Sequence, residues 1–226
     1  MNKRKYISKD NMPKEQVKVE VIPLFSTPVV KTNIGRDFTK DELQLFLTDI
    51  SMKKDRVNHR SKDDYLFDNF ASDGRLKDIK IFCEQQLKNY LEEIDGVSTD
   101  LAGLRITQSW LNKNKPGEHH HSHHHSNSYI SVVLYISCLP NDGINFSNRM
   151  YGMFNNMEFS RKKVTVWNST GTTINVTEGD LIIFPSWIPH FVNRNETKDT
   201  ERISLSFNTF PTGEMGNYEY GNHLKL

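Results

Sequence analysis

The chain has 226 residues, of which 29 are basic and 28 acidic, and its formal net charge is +1. This balance argues against binding to nucleic acid or to an anionic membrane surface, because both need a clear excess of positive charge. The length suits a single domain, and no apolar run approaches the length of a membrane span. The two cysteines are far apart and outside any paired motif. Together with the absence of a signal peptide, they predict a protein of the reducing cytoplasm.

The first hundred residues predict a polar arm, one extended segment and two helices. Residues 1–16 are polar, and residues 17–30 alternate with period two and carry prolines, which favours an edge strand. A capping-box sequence at 39–42 and apolar spacings of three and four over 76–94 each predict a helix. Between them, residues 51–72 are polar and show no period, which fits either a surface loop or a lid.

From residue 104 onward the pattern changes to short strand-like runs that are separated by turn residues. Their number and spacing predict a sandwich or a barrel, with the helices bracing one face. The domain is therefore expected to span 17–226, with helical support over 39–96, a β-barrel core over 104–210 and a tail over 211–226. The predicted strands are 104–112, 129–138, 143–147, 162–168, 172–176, 180–185, 190–193 and 202–210.

Six of the nine histidines lie between His119 and His125. A folded domain has little use for so much imidazole at one point other than metal binding, and imidazole suits Fe(II), Zn, Cu and Ni. Side chains at i and i+2 of a strand share a side, so His123 and His125 offer two ligands to one ion. His119 with His121 is a second such pair, and His120 lies within reach of the same place. The plain alternative is a solvated loop that collects metal without purpose.

A seventh histidine, His190, follows a buried strand and a corner with two prolines. A lone histidine beside apolar residues usually packs in the core. Here the spacing after Gly179 repeats the spacing between Gly117 and His123, and the two motifs resemble those of cupin barrels. The glutamate expected after the first motif is missing, and Trp187 stands where cupins have glycine. The motifs therefore predict a double-stranded β-helix, which is a jelly-roll, cupin-like barrel, without supporting the cupin subfamily itself.

Polar and apolar residues alternate from Arg202 to Asn208, which predicts a strand with one polar face. The plain alternative is a half-exposed strand with a solvated arginine. Twelve residues after His190, however, this strand should neighbour the metal strand, and an arginine pointing into the barrel needs an anion. Arginine binds carboxylates bidentately, and Ser204 on the same face can add a hydrogen bond. The predicted ligand is a small carboxylate that chelates the metal at its other end.

In these blocks the chain resembles the Fe(II)/2-oxoglutarate-dependent dioxygenases, and most of all the 2OG-Fe(II) oxygenase family found in marine bacteria and their phages. The resemblance covers about residues 104–210, and the order and spacing of five blocks make it specific. The matching blocks are 109–112, 120–125, 129–136, 179–190 and 202–208.

The resemblance implies an iron centre that uses 2-oxoglutarate and O2 and couples decarboxylation of 2-oxoglutarate to hydroxylation of a substrate. The metal ligands that it implies are His123, His125 and His190, with His120 in reserve for His125. The cosubstrate contacts that it implies are Arg202, Ser204, Asn112 and Tyr135. Most of the superfamily uses two histidines and one carboxylate as ligands, whereas this chain has His125 in place of the carboxylate, which leaves the ligand set neutral.

Two other functions stay open at this point. The first is a cupin-like metalloenzyme without 2-oxoglutarate, which would not need Arg202. The second is a non-catalytic β-sandwich binding module of phage or bacterial origin. The substrate, either a small molecule or a protein side chain, is not identified, no nucleic acid or membrane partner is expected, and a homodimer is one option for the assembly. Segments 51–72 and 148–161 are each either a lid or a plain surface loop.

Overall fold

The computed structural model describes residues 20, 22, 26–70, 73–148 and 160–226. Its strands are β1 (Val30–Asn33), β2 (Met52–Asp55), β3 (Asn58–Ser61), β4 (Ala102–Asn114), β5 (His120–His123), β6 (Ile130–Ser137), β7 (Gly143–Ser147), β8 (Gly171–Asn175), β9 (Asp180–Pro185), β10 (His190–Val192), β11 (Arg202–Met215) and β12 (Leu224–Lys225). Its helices are α1 (Lys40–Gln44), which continues into a π-helical turn over Leu45–Asp49, α2 (Leu66–Asn69) and α3 (Lys77–Glu93). Within the described residues, no helix is long and apolar enough to cross a membrane.

The strands form two antiparallel sheets that face each other as a jelly roll. The large sheet has the order β1-β9-β6-β11-β4-β3-β2, with β12 paired to β11, and the small sheet has the order β5-β10-β7-β8. Apolar side chains from β6 and β9 of the large sheet cluster with those from β7 of the small sheet. The predicted fold class, mainly β with bracing helices in a double-stranded β-helix, is confirmed, although the two sheets do not join into one continuous barrel.

The two faces of the large sheet have different neighbours, and β11 shows why. Its apolar residues Ile203, Leu205 and Phe207 are buried in one core with side chains from α1, the π-helical turn, α2 and α3. The residues that alternate with them, Arg202, Ser204 and Ser206, line a cavity on the opposite face. The period-two alternation therefore separates a helix-covered core from a polar cavity between the sheets.

Both predicted helices are present. Thr39 caps α1, because its hydroxyl accepts a hydrogen bond from the Glu42 amide while the Glu42 carboxylate accepts one from the Thr39 amide at 2.7 Å. These two bonds satisfy amide groups that the first turn of a helix leaves without partners. In α3, Ile79, Cys83 and Leu87 recur on the buried face, as the spacing predicted.

The prediction of a loop or lid over 51–72 is wrong for the residues described there. This segment forms the hairpin β2–β3 followed by α2, and β3 extends the large sheet, with Arg60 directly opposite Asn112 of β4. The two strands of this hairpin carry a single apolar residue, Met52, which packs against the core, and their other residues are polar. For that reason it lacked the hydrophobic alternation that reveals a strand.

The predicted strand over 162–168 is also wrong. Val164 and Val166 alternate as in a strand, but they are 75% and 84% exposed, and the chain turns at 166–168. The Asn168 side chain closes this turn by accepting a hydrogen bond from the Thr165 amide at 2.8 Å. At the C-terminus, the expected tail over 211–226 is partly sheet, because β11 runs on to Met215 and pairs with β12.

Several predictions fall on residues outside the described part of the chain. They are the polar arm over 1–16, most of the extended segment over 17–30 and most of the segment 148–161. At the end of the extended segment, Val30 begins β1, which pairs with β9.

Candidate metal centre and its cavity

Three imidazoles meet at one end of the small sheet. His123 ends β5 and His190 begins β10, and the two residues are direct antiparallel partners. His125 joins them from the loop after β5. One ligand nitrogen of each of the three lies within 4.8 Å of the others, and the Nε2 atoms of His125 and His190 are 3.3 Å apart. The structure therefore brings the histidine run and the distant His190 to one point.

Backbone carbonyl groups fix the orientation of two of these rings. His123 Nδ1 lies 2.8 Å from the carbonyl oxygen of His121, and His190 Nδ1 lies 3.0 Å from that of Ile188. A carbonyl oxygen only accepts, so each Nδ1 carries the proton and donates it. The Nε2 lone pairs of both neutral rings are then free for a metal, an arrangement that is usual for histidine ligands.

The position of His125 differs from the strand pair that the sequence suggested. Strand β5 ends at His123, so the i and i+2 rule does not place His125. Its backbone amide donates to the Ser186 carbonyl at 3.0 Å, in the proline corner before His190. Its ring stacks on the indole of Trp110 from β4, with centroids 5.6 Å apart. The loop and this aromatic contact, rather than strand geometry, bring His125 to the site.

The remaining histidines of the run do not belong to the group of three. His120 lines the same cavity and stacks on His123 with ring centroids 4.4 Å apart, so it packs against the ring of a candidate ligand. His119 is half-buried, while His121 and His124 are exposed. The geometry therefore favours His125 over His120 as the partner of His123 and His190.

Burial keeps the cluster neutral. It lowers the pKa of His125 and of His190 to about 3 each, and neighbouring imidazoles add to the effect. Burial also lowers the pKa of His120 to about 2. Neutral imidazole is the form that binds metal, so the site is ready for an ion at neutral pH.

The same shifts predict that the metal-free protein loses stability as the pH falls. An unfolded histidine titrates near pH 6.5, and these rings titrate near 3 in the folded protein. Between those values the unfolded chain binds more protons, so stability should fall on acidification by up to about 1.4 kcal/mol per pH unit for each histidine. Urea unfolding of chelator-treated protein at pH 7.5 and 5.5 measures this. A His190→Phe variant should show a shallower dependence and His124→Ala an unchanged one, and equal stability at both pH values would contradict the expectation.

Arg202 lies at the other end of the cavity and is 2% exposed. Its Nε is 3.1 Å from Asp142 Oδ2, and its Nη2 donates to the Gly143 carbonyl at 3.3 Å. Its Nη1 is buried and has no hydrogen-bond partner in the described residues. Leaving a buried guanidinium N–H unpaired is costly, so this atom indicates a ligand that accepts a hydrogen bond in the cavity.

Asp142 is a site residue that sequence analysis missed. It precedes β7, is 7% exposed, and accepts hydrogen bonds from the amides of Leu139 and Gly143 at 3.2 and 2.8 Å. These bonds hold the carboxylate beside Arg202, which offsets part of the guanidinium charge and fixes its direction. Nothing in the sequence linked the turn before β7 with β11, because the pair is separated by about sixty residues and forms only when the sheets pack.

The other predicted cosubstrate residues also line the cavity. Asn112 donates to the Ser206 hydroxyl at 3.1 Å, while its buried Oδ1 has no hydrogen-bond partner in the part of the chain that the structure describes. The Tyr135 ring lies 5.1 Å from the Arg202 guanidinium carbon, and burial raises the pKa of its phenol, which keeps the hydroxyl protonated. Ser204 is 8% exposed between these residues. The structure thus places all four predicted residues around one space.

One more residue at the cavity was not predicted, although its spacing carried a signal. Trp110 is two residues before Asn112 on β4, so both side chains share the cavity face. The Trp110 indole stacks on His125 and also contacts the Arg60 guanidinium, whose carbon is 4.1 Å from the ring centroid. Alternation along β4 could have found Trp110, whereas Arg60 lies in the hairpin that was taken for a loop.

Comparison with known proteins gives a consistent result. Residues 108–208 match the family model described as "Putative 2OG-Fe(II) oxygenase". A 2OG-Fe(II) oxygenase family oxidoreductase from Burkholderia pseudomallei has a similar structure, with a TM-score of 0.52 and 12% identity over 80% of this chain and 83% of that one. The epimerase SnoN of nogalamycin biosynthesis, described as non-heme and alpha ketoglutarate dependent, gives 0.54 and 12% over 83% and 80%. No curated protein sequence matches the chain. At these identities, the two structures show a shared fold.

Proposed function

We propose that the chain is an Fe(II)/2-oxoglutarate-dependent dioxygenase that hydroxylates its substrate with Fe(II), 2-oxoglutarate and O2, a proposal that the family match over residues 108–208 supports. The observation that supports this most directly is the set of residues that line one cavity. Three histidines with converging nitrogens line it, together with a buried Arg202 whose Nη1 has no hydrogen-bond partner among the described residues. A metal and a carboxylate are the two ligands that these groups bind.

In this proposal His123, His125 and His190 hold the iron. Their nitrogens converge from one side, and the carbonyl contacts of His123 and His190 fix the tautomers that expose Nε2. Three imidazoles suit Fe(II), although most relatives with this chemistry use two histidines and one carboxylate. Because the three rings are neutral, they offset none of the charge of the ion, and the dianionic cosubstrate would complete the balance.

Arg202 would anchor the far carboxylate of 2-oxoglutarate. The free Nη1 donates to the incoming anion, while Asp142 and the Gly143 carbonyl keep the guanidinium in place. Tyr135, packed against Arg202, and Ser204 are further donors at this end, and Asn112 lies between them and the metal ligands. Because these groups are buried, water competes little for the carboxylate, and each hydrogen bond is strengthened.

Bound iron would supply the coupling of oxidative decarboxylation of 2-oxoglutarate, giving succinate and CO2, to oxidation of a substrate C–H bond. The protein residues orient the cosubstrate and exclude water. Hydroxylation is the outcome that we propose. The neighbour SnoN is described as an epimerase, so the same fold also serves a different outcome. The substrate is a small molecule or a protein side chain.

Anaerobic reconstitution with Fe(II) and 2-oxoglutarate tests the proposal. We expect one iron per chain and a weak visible charge-transfer band that appears only when both are present, because the band arises from chelation of the metal by the keto acid. The His124→Ala variant, which alters an exposed histidine outside the cluster, should show the same band. Iron binding without the band at saturating 2-oxoglutarate would favour a cupin-like metalloenzyme, and no stoichiometric iron would favour a binding module.

A further inference from the structure

Beside the three clustered histidines, a second cationic group lies against Trp110, which lines the cavity, and it is not used by the proposed iron and cosubstrate. We propose that Arg60 and Trp110 form a subsite for an oxyanion of the substrate, so that the substrate carries a carboxylate or a phosphate group near the carbon that is oxidised. This inference rests on the proposed function and extends it to the class of substrate.

The register of the large sheet places Arg60 on the cavity face. Arg60 of β3 is the direct antiparallel partner of Asn112 of β4. Directly opposed residues project from the same face of a sheet, and Asn112 lines the cavity. The guanidinium then reaches across to the indole of Trp110, with its carbon 4.1 Å from the ring centroid. Arg60 therefore lies on the cavity side of the sheet, against the lining residue Trp110.

Trp110 connects this arginine with the metal centre. One face of the indole stacks on the metal-ligand candidate His125, at 5.6 Å between centroids and an interplanar angle of 28°, and Arg60 lies over the ring. The indole Nε1 is buried and has no hydrogen-bond partner in the described residues, and Trp110 is 3% exposed. An unpaired buried N–H lining a cavity indicates a ligand that accepts a hydrogen bond.

The charge on Arg60 is only partly used within the protein. Its Nε donates to Asp64 Oδ1 at 2.9 Å. Its two terminal amino groups form no hydrogen bond or ion pair with another of the described residues. The Arg60 side chain is 21% exposed, so a ligand can approach it from solvent. Two terminal N–H groups in a planar fork match the two oxygens of a carboxylate or phosphate.

Arg60 and Arg202 are separate sites. Arg202 of β11 is the antiparallel partner of Asn114 on β4, and it is buried. Arg60 of β3 is the partner of Asn112 on the other edge of β4, and its side chain is partly exposed. One deep arginine suits a small cosubstrate that is enclosed completely. The partly exposed Arg60 suits a charged group on a larger molecule that binds after the cosubstrate.

Trp110 itself provides the signal for a test. The chain has three tryptophans, and the other two, Trp167 and Trp187, are more than half exposed. Replacing both with phenylalanine leaves Trp110 as the only tryptophan. This full-length protein, loaded with one equivalent of Zn(II) and freed of excess metal, is titrated separately with inorganic phosphate and with acetate at constant ionic strength. The titrations are run with and without saturating 2-oxoglutarate.

We expect a saturable change of Trp110 fluorescence that persists when 2-oxoglutarate is bound. Arg60→Gln should raise the dissociation constant of the probe at least about tenfold, the loss expected for one charge-assisted pair of hydrogen bonds, and Arg60→Lys should lie between. Arg105→Gln is the matched control, because Arg105 also lies near an aromatic ring, that of Phe210, and Phe210, unlike Trp110, does not line the cavity. The tighter of the two probes assigns the group as phosphate or carboxylate.

An unchanged dissociation constant in Arg60→Gln, or no saturable response to either probe, would overturn the subsite. A response that survives in Arg60→Gln but disappears in Arg202→Gln would also overturn it, because the probes would then occupy the cosubstrate anchor. Failure of the proposed function is seen separately, as an absence of 2-oxoglutarate binding in the same samples. The anion titration without 2-oxoglutarate still reports on Arg60 in that case.

Discussion

Replacing His190 with alanine is expected to weaken iron binding by more than about 100-fold and to reduce decarboxylation of 2-oxoglutarate to background. His190 provides the ligand from β10 that joins the two from the histidine run, and its Nε2 lies 3.3 Å from that of His125. Losing even an outer contact of a ligand costs about 10–100-fold in metal affinity, so losing a ligand should cost more. Metal content after desalting and release of CO2 from 2-oxoglutarate measure the two effects.

The histidine run supplies both the control and the sharper comparison. His124→Ala removes an exposed imidazole of the same run and should leave both measurements unchanged. His125→Ala should behave like His190→Ala. His120→Ala should retain stoichiometric iron, because His120 packs against the ring of His123 and is outside the group of three. The opposite ranking of His120 and His125 would show that the ligand set has been assigned wrongly.

Arg202→Gln is expected to raise the dissociation constant of 2-oxoglutarate by about 10- to 100-fold while leaving metal binding intact. A hydrogen bond to a charged group contributes about 1.5–3 kcal/mol, and the buried Nη1 is the donor that the carboxylate would take. Arg202→Lys should restore part of the affinity, because it keeps the charge but not the planar fork. Titration of the iron-loaded protein with 2-oxoglutarate, followed through its visible band, gives the constants.

The variant needs a correction for folding, because Arg202→Gln leaves the buried Asp142 carboxylate without its cation. Removing one partner of a buried ion pair costs about 3–5 kcal/mol of stability. The double variant Arg202→Gln/Asp142→Asn removes both charges and should regain much of that stability while remaining defective in 2-oxoglutarate binding. If the double variant binds 2-oxoglutarate like the wild type, Arg202 is not the anchor.

Local patterns in the sequence were enough to predict the helices and strands that bury apolar side chains. The apolar run of β6, the alternation in β11 and the helical spacing of α3 each predicted an element that the structure contains. The same reasoning failed where burial does not decide the conformation. The strands of the hairpin β2–β3 have only one apolar residue, Met52, and the run containing Val164 and Val166 looks like a strand but has no neighbouring strand in the described residues. Hydrophobic period reports burial, so it misses a polar edge strand and overstates an exposed one.

The sequence alone singled out the histidine run, His190 and Arg202 as candidate residues for binding a metal and a carboxylate, because their residue types and the alternation around them are local properties. Only the tertiary structure showed that His125, and not His120, joins His123 and His190 in the group of three converging nitrogens, that Asp142 pairs with Arg202 and that Arg60 lies over Trp110. The reason is physical. These contacts depend on the path of a loop against the proline corner and on the register between strands far apart in the chain, both of which are set when the sheets and helices pack together.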